Sequence, residues 1–202
     1  MIAFAKKIGM TRLFLDGKAV PCTALQVQDS VVTQIKTIEN DGYNAIQLAS
    51  CARNKNQASD AQLGHTKKSG FDVDFKFYGE FADVDLEEGK NKFTVEDFAT
   101  GQMLSISGNT IGKGFTGAVK RWGFAGQPKS HGHDHVRAVG SIGARWPQRV
   151  PKGKKMAGHH GNRKMTLNGV KILAVDTESG LIFVNGSMPG ANSSILKIST
   201  LK

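Results

Sequence analysis

Three histidines and a carboxylate fall within five residues at His131, His133, Asp134 and His135, and such donors at such spacing suit a transition metal. The order is one residue short of the H-x-H-x-D-H spacing used by metal-dependent hydrolases, and no downstream acid in the same segment completes a site. The same imidazoles suit a second chemistry, as hydrogen-bond donors beside phosphate, where a negative potential favours their protonated form. Upstream, the run Gly108 to Gly114 looks like a nucleotide phosphate loop. It has three residues between the glycines instead of four, and Gly114 follows Lys113 where a hydroxyl residue is needed. A nucleotidase is therefore excluded, while a weaker anion cradle of backbone N–H groups at a helix start is expected. No Ser/His/Asp set, Cys/His set or paired carboxylates stand in a catalytic context. The sequence predicts no enzyme, no metal, no cofactor and no small-molecule substrate.

The charges lie around these motifs. The chain carries a net +10, which favours a polyanionic partner, and its distribution is more telling than its size. Between residues 111 and 164 stand Lys113, Lys120, Arg121, Lys129, Arg137, Arg145, Arg149, Lys152, Lys154, Lys155, Arg163 and Lys164, opposed only by Asp134. That segment holds +11, and the rest of the chain is left near neutrality at −1. It also holds eleven glycines and both tryptophans. The reading places RNA contacts on the twelve cations together with His131, His133, His159 and Trp146. Trp122 is expected to face a core, whereas Trp146, between Arg145 and Pro147, either stacks on a base or packs against the rest of the segment.

The flanking elements must position this segment. Turn signals every eight to twelve residues delimit strands at Thr11–Leu15, Lys18–Val27, Val31–Ile38 and Tyr43–Ala49, read as one antiparallel meander. Val170–Val175, Leu181–Val184 and Ser194–Ile198 supply later strands, and such spacing fits a small barrel or sandwich. Residues 52 to 70 read as loop or short helix. Phe71, Phe75, Phe77, Phe81, Phe93 and Phe98 stand among Asp72, Asp74, Glu80, Asp83, Asp85, Glu87 and Glu88, acids that repel phosphate, so these rings are assigned to packing against the barrel. From Ile111 onward neither period 2 nor period 3.6 persists, except for a short helix expected over Phe115–Trp122. Ordering the remainder costs roughly 1 to 2 kcal/mol per residue of backbone entropy, which its own few apolar contacts cannot offset. Contacts to phosphates, with release of counterions, can.

Cys22 and Cys51 have neither zinc-site nor disulfide spacing and read as small core residues. Lys6 and Lys7 interrupt the first apolar run too early for a secretion signal, and no apolar stretch approaches a membrane span. A soluble, cytoplasmic protein with no membrane partner is expected.

Several ordered motifs carry a resemblance. They are Lys7-Ile8-Gly9-Met10-Thr11-Arg12, Asp41-Gly42-Tyr43-Asn44-Ala45-Ile46-Gln47, Gly112-Lys113-Gly114-Phe115 with Val119-Lys120-Arg121-Trp122, Gly140-Ser141-Ile142-Gly143, Lys152-Gly153-Lys154-Lys155-Met156-Ala157-Gly158-His159, and Gly186-Ser187-Met188-Pro189-Gly190. In this order the chain resembles the bacterial form of the large-subunit ribosomal protein L-three family. That resemblance implies a mainly β fold, a Greek-key translation-protein-type β-barrel with a long basic, irregular extension and a few short helices. The barrel would comprise residues 1–110 and 165–202, the extension residues 111–164, with limbs near 123–142 and 150–164 and a tip near Gly143 to Arg149. It further implies a structural constituent of the large ribosomal subunit that binds ribosomal RNA beside neighbouring proteins, assists assembly and reaches toward the peptidyl-transferase centre. Many bacterial members carry a methylated glutamine at the tip; here Ala144-Arg145-Trp146-Pro147 stands there, with Gln148 the only glutamine nearby, and the modification is not carried over. Two rival readings remain, a metal-dependent hydrolase built on His131, His133 and His135, and an architectural DNA-binding protein. The DNA reading is weakened because the segment offers no clear helix or ribbon for a groove.

Overall fold

A computed structural model describes residues 1–54, 57–82 and 91–201. The chain divides into two compact units, one formed by residues 1–109 and 164–202 and the other by residues 110–163. The larger unit is built on a closed six-stranded barrel in the order β1 (Ile2–Leu15), β12 (Ile195–Thr200), β7 (Met103–Asn109), β10 (Lys164–Asp176), β11 (Leu181–Asn185) and β2 (Lys18–Gln28). Every neighbouring pair is antiparallel, so the barrel has no free edge. The expectation of a mainly β fold with a barrel therefore holds.

The expected single meander does not. β1 and β2 form a hairpin, but β3 (Ser30–Lys36) leaves the barrel to pair with β4 (Ala45–Arg53), in a separate sheet ordered β5 (Asp74–Ala82), β4, β3, β6 (Lys92–Phe93). Ser30 makes the change of sheet, its buried hydroxyl donating to Gln28 O at 2.9 Å and accepting from Phe4 N–H at 3.2 Å. The first strand also begins nine residues earlier than expected. Ile2, Phe4 and the intervening Ala3 and Ala5 form one apolar run because both faces of β1 are covered there. Ala3 and Ala5 join Leu25, Leu104, Ile106, Ile172, Ile182, Leu196 and Ile198 inside the barrel, while Ile2 and Phe4 pack with Ile46, Leu48, Phe81 and Phe93 of the second sheet.

Phe75, Phe81, Phe93 and Phe98 are buried, consistent with the packing role expected for them; Asp83, Asp85, Glu87 and Glu88 lie outside the described residues. The polar stretch before them contains the helix α2 (Asp60–Lys68), held at its start by a Ser59/Gln62 capping box. Between β3 and β4 the chain forms a short helix, α1 (Ile38–Asp41), ended by Gly42 at φ 80°. Cys22 is buried as expected, but Cys51 is only half-buried. Among the described residues no helix is long and apolar enough to cross a membrane.

Two buried polar groups fix this unit. The Lys7 ammonium donates to Met188 O and Gly190 O, both at 2.8 Å, which meets the requirement that a buried charge be hydrogen-bonded. Asp74, wholly excluded from solvent, accepts from Arg53 Nε and from the Tyr78 hydroxyl. Burial works to raise the Asp74 pKa, but the hydrogen bonds from Tyr78 and Arg53 outweigh it and hold the carboxyl below its ordinary value of 3.8. Burial first, and then the bond to Asp74, push Tyr78 up to about 12.

Because the folded-state pKa of Asp74 is depressed, its contribution to stability is fully present above the ordinary carboxylate value and is lost as pH falls through the folded value. Asp74→Ala leaves Arg53 without its carboxylate and is expected to cost roughly 3 kcal/mol at neutral pH. Urea melts of wild type and variant from pH 6 to pH 2 check this: the two stabilities should converge as acid is added, and a pH-independent difference would contradict the assignment.

Candidate nucleic-acid interface

The 110–163 unit joins β7 to β10, and the paired residues Asn109 and Lys164 close the barrel ladder where it departs and returns. Its first and last residues pair with each other, Thr110 N–H donating to Arg163 O at 3.0 Å and Asn162 N–H to Thr110 O at 3.1 Å. Next comes a small ladder of β8 (Phe115–Thr116) and β9 (Gly158–His159), with Phe115 opposite His159 and Thr116 opposite Gly158. The adjoining backbone is tied by Lys113 N–H to His160 O at 2.8 Å and His160 N–H to Gly114 O at 2.9 Å. Gly161 permits this closeness. It sits at φ 77°, and a Cβ there would lie 2.0 Å from Ile111 O.

Two expectations about this stretch are corrected. The helix predicted over Phe115–Trp122 is only α3 (Ala118–Trp122), because Phe115 and Thr116 are taken by the ladder; and the stretch beyond it is not without regular structure up to Met165, since β9 falls within it and β10 already begins at Lys164. Trp122 does not face a core. It is 41% exposed, its indole N–H donates to Met156 O at 2.9 Å, and Arg121 and Lys155 lie over its ring at 5.1 and 5.7 Å. Arg121 donates to the same carbonyl at 2.9 Å. These contacts bring Arg121, Trp122, Lys155 and Met156 together across 35 residues of sequence.

The anion cradle expected from Gly108 to Gly114 is also corrected. Gly108 lies within β7 opposite Met165, the N–H groups of Thr110 and Lys113 are already donated to backbone carbonyls, and α3 begins only after Gly117. Gly108 instead leaves room for the Leu196 side chain, and Gly114 takes a left-handed φ of 64°.

Of the residues expected to meet RNA, fifteen are exposed: Lys113, Lys120, Lys129, His131, His133, Arg137, Arg145, Trp146, Arg149, Lys152, Lys154, Lys155, His159, Arg163 and Lys164; Arg121 is half-buried. Trp146 is 70% exposed and does not pack into a core. Thr116 and Ala118 are the only buried residues of the whole 110–163 unit. Lys164, the first residue of β10, belongs to the barrel-bearing unit. There it lines a cleft of about 480 Å³ with Lys197, Phe77, Tyr78 and Asn109. Burial, followed by repulsion from Lys164, lowers the Lys197 pKa. His131, His133 and His135 are not gathered into a ligand set; among the described residues no group of three or more histidine, cysteine or carboxylate side chains is placed to hold a metal.

Sequence reasoning missed His160. Its Nδ1 is buried without a hydrogen-bond partner, and its pKa is lowered by desolvation and then by Lys113, Arg121, Arg163 and Lys120. Burial and the positive charge of the segment thus act on it in the same direction. Nothing in its sequence neighbourhood separates it from His159; only the ladder turns one imidazole outward and the other in.

A family model described as Ribosomal protein L3 matches residues 76–201. Similar proteins named large ribosomal subunit protein uL3 span nearly the whole chain. That of Geobacter metallireducens is 43% identical over 196 residues, covering 95% of this chain and 93% of the relative. That of Hydrogenobaculum sp. is 43% identical, covering 96% and 84%, and that of Oceanobacillus iheyensis 37% identical, covering 96% and 94%. An exposed, cation-dense unit inserted between two strands of a closed barrel is thus what this chain carries as a member of the ribosomal protein L3 family.

Proposed function

We propose that this protein is a non-enzymatic structural constituent of the large ribosomal subunit, working in the cytoplasm within the ribosome, where it binds large-subunit ribosomal RNA beside neighbouring ribosomal proteins and assists assembly. One observation carries the reading. The 110–163 unit holds eleven cations and a single carboxylate, Asp134, and buries only Thr116 and Ala118. A folded unit with so little core and so much like charge gains most from a partner that neutralises it, and polyphosphate does so while releasing its own counterions. Structured RNA is favoured over duplex DNA because the regular elements of this unit are two-residue strands and one five-residue helix, too short to be laid into a major groove.

The segment Gly143 to Arg149 is wholly exposed and presents Arg145, Trp146 and Pro147. A guanidinium fork, an aromatic face and a rigid ring can orient unpaired RNA without supplying a proton or a nucleophile. The reading accordingly has this tip tune RNA near the peptidyl-transferase centre, while Lys152, Lys154 and Lys155 neutralise phosphate.

Two measurements test this. Affinity of the full chain for large-subunit ribosomal RNA should fall with salt at a log–log slope of roughly −4 to −5 if six cations reach phosphates, and a slope near zero would remove the electrostatic basis. Arg145→Ala with Trp146→Ala should leave subunit assembly intact but change peptidyl-transfer rates or sensitivity to drugs bound at that centre. Lys154→Ala with Lys155→Ala should mainly reduce assembled subunits. Unchanged transfer and drug response in the tip variant, measured on the same preparations as the subunit profiles, would overturn the role given to the tip.

A further inference from the structure

We propose that the ladder of β8 and β9 is a stacking platform for one unpaired nucleobase, with Phe115 as the stacking ring and His159 as its cross-strand neighbour. The inference rests on the reading that this unit meets RNA and adds to it a definite site and ligand chemistry. A lone exposed apolar side chain would mean little, since soluble proteins carry many. Phe115 differs in three respects. It is 80% exposed, the most exposed of the large hydrophobic side chains among the described residues. It is held in a strand directly opposite His159, itself exposed, so that both rings leave the same face of the ladder with Cβ atoms about 5 Å apart. Lastly, backbone bonds of Lys113 and Gly114 with His160 pin the ladder at the end that carries Phe115 and His159.

The surroundings select the occupant. Lys113, Lys120, Arg121 and Arg163 lie close enough to the neighbouring His160 to act on its charge. An apolar protein surface docking on Phe115 would have to strip water from these cations and return nothing. A nucleotide brings a flat ring for Phe115 and a phosphate for the cations in one ligand, and ring stacking tolerates any base. The base must be unpaired and splayed from its helix, because both faces of a base within a continuous stack are already covered.

The test uses the full-length chain and two probes of equal charge, an unpaired eight-nucleotide oligoadenylate, whose end bases each have a free face, and the corresponding abasic ribose-phosphate chain. Phe115→Ala is expected to weaken binding of the oligoadenylate about tenfold, to leave binding of the abasic chain unchanged, and to keep the salt slope of the wild type on both. Phe115→Trp should restore or exceed wild-type affinity, and His159→Ala should give a smaller loss confined to the base-bearing probe. Equal thermal midpoints for the variants would confirm that an exposed side chain has been changed without unfolding the unit. Undiminished oligoadenylate binding by Phe115→Ala, or an equal loss on both probes, would overturn the platform. So would unchanged RNA binding with failure to enter large subunits, which would assign the ring to a protein neighbour. The electrostatic reading would survive each of these results as long as the salt slope persisted, and would fall on a zero slope whatever Phe115 did.

Discussion

Repulsion among like charges is the constraint from which the rest of the molecule follows. Eleven cations share residues 110–163 with one carboxylate, and the Debye length at physiological ionic strength, about 8 Å, is short enough to quiet distant pairs but too long to relieve close neighbours. A unit so composed cannot collapse onto a core, and it has almost none. Its order comes from backbone pairing, at Thr110 with Asn162 and Arg163, at Lys113 and Gly114 with His160, and at Phe115 and Thr116 with His159 and Gly158. Glycine is a condition for that solution. Where Gly161 meets Ile111, any side chain would collide with backbone, so composition that looks like disorder in sequence is what lets two charged strands approach.

Closure of the barrel completes the other unit: β7 and β10 are paired from Asn109 and Lys164 to Met103 and Lys171, so the ladder runs up to the insertion, and loop length between paired strands costs only slowly rising entropy. Alternation along β1 then serves two interiors at once, Ala3 and Ala5 toward the barrel and Ile2 and Phe4 toward the second sheet.

What could be read from sequence follows from which interactions are local. Turn residues and alternating apolar positions gave the β2, β4, β11 and β12 strands to within a few residues, and the density of cations marked the residues that turn out to be exposed. The start of β1 was illegible because a strand buried on both faces loses its period-2 signature. The parting of β3 from β2 was illegible because it rests on Ser30 bonding to Phe4, a contact 26 residues distant. Likewise Phe115, Val119 and Trp122 have helical spacing, yet the pairing of Phe115 with His159 across 44 residues overrides it. His160 was hidden for the same reason: its environment is made by Lys113, Lys120 and Arg121, all remote in sequence.

Lysine in this chain shows why a net charge is a weaker guide than the fate of each ammonium group. Lys7 carries the same charge as Lys154, but its donors are already committed to Met188 O and Gly190 O inside the fold, within the segment Gly186 to Gly190, where positive-φ glycines at both ends let the chain curl back. To offer that ammonium to a phosphate would leave two buried carbonyls unsatisfied. Lys36 is held by Tyr43 and Glu80, which raise its pKa and occupy it in an ion pair. Lys154 and its neighbours in the 110–163 unit stand in water instead, where exchanging solvent for phosphate costs little and gains counterion entropy. Unspent donors are therefore concentrated where the sequence has no apolar period to bury them.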